Sequence, residues 1–188
     1  MFWRFSVAAV LCASLASGGA ATPNEFRISN TPVVMDHVTI ETSMPYRLVT
    51  SRLDYEVKRF DEGYRKLLQE SKIDELRAKL TQGLEPDGFM IHFIAAQGDL
   101  LALEGRHLQG RVYYLGNVIA AAQMTKLNFG AALYAPLRLN VYENAQGGTT
   151  FEYDKPSTQF GQFHNIDIDK VAKSLDDHLL SLIKKVSA

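Results

Sequence analysis

The sequence predicts an α+β domain whose β-α-β4-α order builds an antiparallel sheet with helices packed on one face. Three observations predict it: helical spacing over residues 64–80 that follows an extended stretch, a hairpin of alternating polarity over residues 133–154, and an apolar helical stripe over residues 171–186. Strands that follow one another at short intervals, bracketed by helices, pair antiparallel and leave the helices to cover one face.

Ahead of that domain, Met-Phe-Trp-Arg-Phe is followed by an apolar run from Val7 to Leu15 and a small, Gly/Ala-rich stretch from Ala16 to Ala21. This is the basic, apolar, small-residue order of a secretory signal peptide. Residues 1–21 are therefore expected to be removed after Ala20 or Ala21, leaving a periplasmic or secreted protein. The apolar run is short of the roughly 20 residues a membrane-spanning helix needs, and no later stretch approaches that length. Residues 22–45 read as an N-terminal lead, with strand character around Val38 to Ile40, and residues 46–188 as a single domain.

Within the domain, Leu53, Tyr55 and Val57 alternate with Asp54, Glu56 and Lys58, which predicts a first strand beginning near Tyr46. From Phe60 the period changes. Tyr64, Leu67, Leu68, Leu76 and Leu80 recur at helical spacing as one helix or two joined near Ser71, with Gly83 placed as a left-handed terminator. Pro86-Asp87-Gly88 reads as a turn, Phe89 to Ala96 as a strand, Gly98 to Gln109 as a turn of helix, and Arg111 to Leu115 as a strand. Asn117 then caps a short helix reaching about Lys126.

The hairpin is the best-defined element. Leu133, Leu137, Leu139 and Val141 alternate with Tyr134, Arg138, Asn140 and Tyr142, and Phe151 and Tyr153 alternate with Thr150, Glu152 and Asp154. A loop follows Pro156, and Asn165 caps a last helix whose acids, Asp167 and Asp169, and lysines, Lys184 and Lys185, suit the two ends of its dipole.

Composition narrows the chemistry. The one cysteine, Cys12, lies in the signal peptide, so the mature chain is expected to hold no disulfide, thiolate metal site or cysteine nucleophile. Lys and Arg total 20 against 21 Asp and Glu, and loss of Arg4 with the signal leaves 19 basic residues. That balance is not the basic footprint of a nucleic-acid binder. No cofactor motif is present. The histidines are scattered, and Asn165-x-Asp167-x-Asp169 has Lys170 where a calcium loop needs Gly, so no metal site is expected.

A family resemblance sits on a series of short motifs. They are Gly116-Asn117 with Ala121-Ala122-Gln123-Met124-Thr125, then Ala132-Leu133-Tyr134-Ala135-Pro136-Leu137-Arg138, Tyr142-Glu143, Gly148-Thr149, Glu152-Tyr153-Asp154, Pro156-Ser157 and Phe160-Gly161-Gln162-Phe163. Together they resemble the family known as domain of unknown function 302, most strongly from Gly88 onward. The resemblance implies a fold of β-α-β4-α order similar to TATA-box-binding-protein-like folds, often dimeric, and no established reaction. Val118 stands where the family commonly has Pro.

A three-residue loop of Ala145, Gln146 and Gly147, with Gly147 left-handed, pairs Val141 with Phe151 and Leu139 with Tyr153 on the core face. The same register sets Arg138 opposite Asp154, Asn140 opposite Glu152 and Tyr142 opposite Thr150 on the other face. The candidate binding residues are thus Asn117, Tyr134, Arg138, Tyr142, Glu152, Asp154 and Ser157. The sequence is read as a non-enzymatic module that binds an unknown small molecule or protein partner at this polar face. An enzyme using Asp154 and Arg138, with Tyr134 or Tyr142 as a hydroxyl donor, and a purely structural homodimer are the competing classes.

Overall fold

A computed structural model of the chain describes residues 26–85 and 88–188. The predicted signal peptide and the Pro86-Asp87 part of the predicted turn lie outside the described residues. The chain divides at Pro32. Residues 26–32 of the first unit have no regular secondary structure, and all that follows concerns the second unit, Val33–Ala188.

The unit is α+β, with five antiparallel strands. Strand β1 (His37–Thr42) is followed by helices α1 (Tyr46–Glu56), α2 (Glu62–Gln69) and α3 (Ile73–Leu84). Strand β2 (Met90–Ala95), the single turn α4 (Gln97–Leu100) with a 3-10 turn at Leu101–Glu104, β3 (Gly110–Gly116) and α5 (Val118–Thr125) come next. A 3-10 helix (Phe129–Tyr134), β4 (Leu137–Glu143), β5 (Thr149–Asp154), α6 (Pro156–Gly161) and α7 (Ile166–Val186) complete it. The sheet order β1-β5-β4-β3-β2 makes a meander of the last four strands and brings β1 back beside the last of them.

The expected first strand is in fact α1. Leu53 and Val57 are two apart from Tyr55 but also four apart from each other, so five residues satisfied both periods. Over the longer window Tyr46, Val49, Thr50 and Leu53 form a buried helical stripe, whereas Tyr55 is 85% exposed. Pro45, extended at φ −59 and ψ 137, sits just before the helix, where its missing N–H costs nothing. The first strand lies earlier, in the stretch read as a lead: Val38 and Ile40 pair with Tyr153 and Phe151 of β5 and turn inward with them. The order β-α-β4-α holds with the elements reassigned.

Three further expectations change. Leu133 and Tyr134, read as part of the hairpin, lie in the 3-10 helix, and β4 begins only at Leu137. Gly83 is not a left-handed terminator: it lies inside α3, where a Cβ would overlap Met90 and Tyr64. The loop expected after Pro156 is helix α6, with Pro156 in its first turn. The helical segment from Phe60 is indeed two helices, joined at Ser71, which has φ 55.

The inner face of the sheet and helices α1, α5, α6 and α7 share one core, which includes Leu53, Leu139, Val141, Phe151, Phe160, Leu179 and Leu182. A second, smaller cluster of Tyr64, Leu67, Leu76, Leu80, Leu84 and Met90 joins α2 and α3 to β2. Asn165 caps α7 as expected, accepting from the N–H groups of Asp167 and Ile168 at 3.0 and 3.2 Å. The outer face of the central strands carries the polar residues.

Candidate functional site

The hairpin register is the predicted one at its closed end. Asn140 pairs with Glu152, Val141 with Phe151 and Tyr142 with Thr150, and Gly147 is left-handed at φ 78. On the outer face Tyr142 Oη donates to Glu152 Oε1 at 3.0 Å and Asn140 Nδ2 donates to Oε2 at 3.3 Å. Glu152 is thereby held by one donor on each oxygen. Burial, and then the bond to this carboxylate, pushes the Tyr142 phenol above its usual range.

These three residues form one wall of an open cleft of about 400 Å³, closed on the other side by Gln97, Gly98 and Leu101. The α4 turn reaches over the sheet because residue 98 is glycine. A Cβ there would overlap the Leu108 carbonyl oxygen and crowd the Gly110 N–H at 2.7 Å.

At the other end the hairpin departs from expectation. The β4–β5 ladder stops at Asn140–Glu152, so Arg138 pairs only with Tyr114 of β3 and Asp154 only with His37 of β1. The expected Arg138–Asp154 ion pair does not form. His37 Nδ1 lies 3.0 Å from Asp154 Oδ1 instead. Leu139 and Tyr153 both turn inward and are buried, although they do not pair with each other.

Release from Asp154 leaves Arg138 exposed and, among the described residues, without a hydrogen-bond or ion-pair partner. It lines a cleft of about 480 Å³ together with Tyr114, Leu133, Tyr134, Pro136 and Gln159. Four segments build this cleft. Strand β3 brings Tyr114, paired with Arg138. The start of β4 places Arg138 and Leu137 beyond the cis Ala135–Pro136 peptide. The 3-10 helix brings Tyr134, whose ring lies edge-on to Phe160 and Phe163 at 6.0 and 6.1 Å. Helix α6 brings Gln159, only 7% exposed.

The Tyr134 hydroxyl donates to Gln162 Oε1 at 3.3 Å, and Gln162 Nε2 donates to the Gln159 carbonyl at 2.6 Å. These bonds tie the 3-10 helix to α6. The arrangement offers a ligand one guanidinium fork, a side-chain amide and aromatic walls. A guanidinium presents parallel N–H donors that match a carboxylate or phosphate edge.

The other candidate residues lie elsewhere. Asn117 caps α5, its Oδ1 accepting from the Ala120 N–H at 2.8 Å while its Nδ2 donates to the Gly88 carbonyl at 2.9 Å. It lines a separate cleft of about 440 Å³ with Lys170, Ser174 and His178. Ser157 sits in the first turn of α6, where its N–H donates to Asp176 Oδ1 at 2.8 Å. Only Tyr134 and Arg138 share the Arg138 cleft, and only Tyr142 and Glu152 share the cleft beneath α4. The seven residues do not converge on one polar face.

Sequence reasoning missed Tyr114, Gln159 and His37. The last two had usable signals: Pro156 opening a helix one turn before Gln159, and the alternation of Val38 and Ile40 that makes His37 part of a strand. Tyr114 had none, because its place beside Arg138 comes from the pairing of β3 with β4.

Comparison with known proteins agrees with the fold. The family model described as "Domain of unknown function DUF302" matches residues 64–186, a span that holds both clefts of the outer sheet face. No curated protein matches the chain. Among solved structures, the crystal structure of an uncharacterized conserved DUF302 protein from Bacillus stearothermophilus is similar at 18% identity and a TM-score of 0.57. The match covers 80% of this chain and 97% of that one, and at this identity the likeness speaks for the fold alone. With its model matched over most of the sheet and through α7, the chain belongs to the DUF302 family.

Proposed function

We propose that this chain is an exported, non-enzymatic binding module that takes a small anionic ligand in the cleft at Arg138. The observation that carries the reading is the exposed, unpartnered guanidinium of Arg138 on the wall of a cleft of about 480 Å³. A cleft of that size is in the range that holds small ligands. Gln159 supports it, because its side chain lines the same cleft and an amide brings both a donor and an acceptor beside the guanidinium. The enzyme reading needed Arg138 and Asp154 as a pair, and Asp154 is engaged by His37.

Export rests on the order of basic, apolar and small residues in positions 1–21. N-terminal sequencing of the exported protein is expected to begin at Ala21 or Thr22.

Native mass spectrometry of protein purified from its own periplasm tests the binding role. A small anionic molecule is expected on the wild type, retained about ten- to a hundred-fold less by Arg138→Gln, the range expected for loss of hydrogen bonds to a charged group. A wild type that carries nothing, or equal retention by Arg138→Gln, overturns the reading.

A further inference from the structure

A second opening lies away from the sheet, between α3 and α5. It is a slot of about 340 Å³ whose base is Leu76 and Leu80 of α3 and Val118 and Ile119 of α5. At its mouth Leu68 and Ile73 also line it, 58% and 47% exposed. The slot stays open because α5 presents Ala122 to it, and a methyl group does not reach across the gap that a larger side chain would fill. Large apolar side chains around an unfilled space leave hydrophobic free energy that an apolar ligand recovers.

Charge decides what kind of ligand fits. Arg77 and Lys126 line the same slot, and no acidic residue does. Neighbouring cations of α2 and α3 are neutralised: Arg65 pairs with Glu62 at 2.9 Å, Lys72 with Glu70 at 2.8 Å and Lys79 with Asp61 at 3.7 Å. Among the described residues, the side chains of Arg77 and Lys126 have no such partner. An apolar trough edged by two free cations complements a molecule with an aliphatic tail and a negative head.

We infer that this slot binds a single-chain anionic amphiphile of the fatty-carboxylate class, its tail along Leu76, Leu80 and Ile119 and its carboxylate between Arg77 and Lys126. The site is separate from the Arg138 cleft and does not depend on it. Each methylene buried is expected to raise affinity up to about fourfold, so binding strengthens with chain length until the slot is full.

Titration calorimetry of the full mature chain with decanoate, held below its micelle-forming concentration, tests this. Decanoate is expected to bind one to one and more tightly than hexanoate, while the neutral 1-decanol binds at least tenfold more weakly than decanoate. Arg77→Gln with Lys126→Gln is expected to lose at least tenfold, and both residues are exposed, so the variant keeps its fold. Ala122→Trp is expected to abolish binding by filling the slot, with unchanged circular dichroism showing that α5 is intact. Several results overturn the inference: no decanoate binding, equal affinity for 1-decanol, or no loss in the double variant. It is also overturned by a sedimentation result in which Leu68 and Ile73 are covered by a second copy that decanoate does not displace.

Discussion

His37 Nδ1 lies 3.0 Å from a carboxylate oxygen of Asp154, joining the edge strand β1 to β5 at a register pair 117 residues apart in sequence. The contact takes up the acid that the hairpin alone would offer to Arg138. The guanidinium therefore remains free at the mouth of its cleft, and one long-range pairing decides whether Arg138 is a structural ion or a binding group.

Double-mutant cycles separate the two arrangements. His37 and Asp154, with side chains 57% and 29% exposed, are expected to couple through their hydrogen bond by about 0.5–1 kcal/mol. Arg138 and Asp154 are expected to be additive within about 0.5 kcal/mol. Urea unfolding of the single and double alanine variants measures both, and a larger coupling for Arg138 with Asp154 would refute the splayed strand ends.

His92 makes stability depend on pH. It is the residue at which the β2–β3 register shifts, stacked on Phe60 at 4.7 Å, with Nε2 buried and unpartnered among the described residues. Burial, and then the charge of Arg65, hold its pKa below the usual 6.5. Below about pH 6.5 the unfolded chain takes up a proton that the folded chain resists, so the unfolded state binds more protons. The contribution of His92 is thus complete above pH 6.5 and lost as pH falls toward the folded pKa. Between pH 7.5 and 5.5, wild type is expected to lose more stability than His92→Phe. An equal loss in both proteins removes His92 from the account.

Asp176 fastens α6 to α7. It is 7% exposed, and its Oδ1 accepts from the Ser157 N–H at 2.8 Å, serving as a cap from another helix where Lys155 supplies none. Asp176→Ala is expected to cost about 1–3 kcal/mol by leaving that N–H without its partner. Asp176→Asn, which keeps the acceptor, is expected to cost less. Thermal unfolding of the two variants gives the order, and a larger cost for Asn would mean that charge rather than the hydrogen bond holds the junction.

The sequence alone determined the α+β class, the inward faces of the hairpin, the left-handed Gly147 and the caps at Asn117 and Asn165, because each depends on periodicity or on groups a few residues apart. The first strand was misplaced because Leu53, Tyr55 and Val57 fit strand and helix alike until the stripe from Tyr46 is included. Tertiary structure decided the rest. Strand β1 reaches its place only by pairing with β5, and β4 and β5 part beyond Asn140–Glu152 as each follows its other neighbour. Helix α6 starts on a carboxylate supplied by α7. Such pairings join residues tens of positions apart, where local pattern carries no information about distance, and they are what leave Arg138 free and bring Tyr114 and Gln159 to its side.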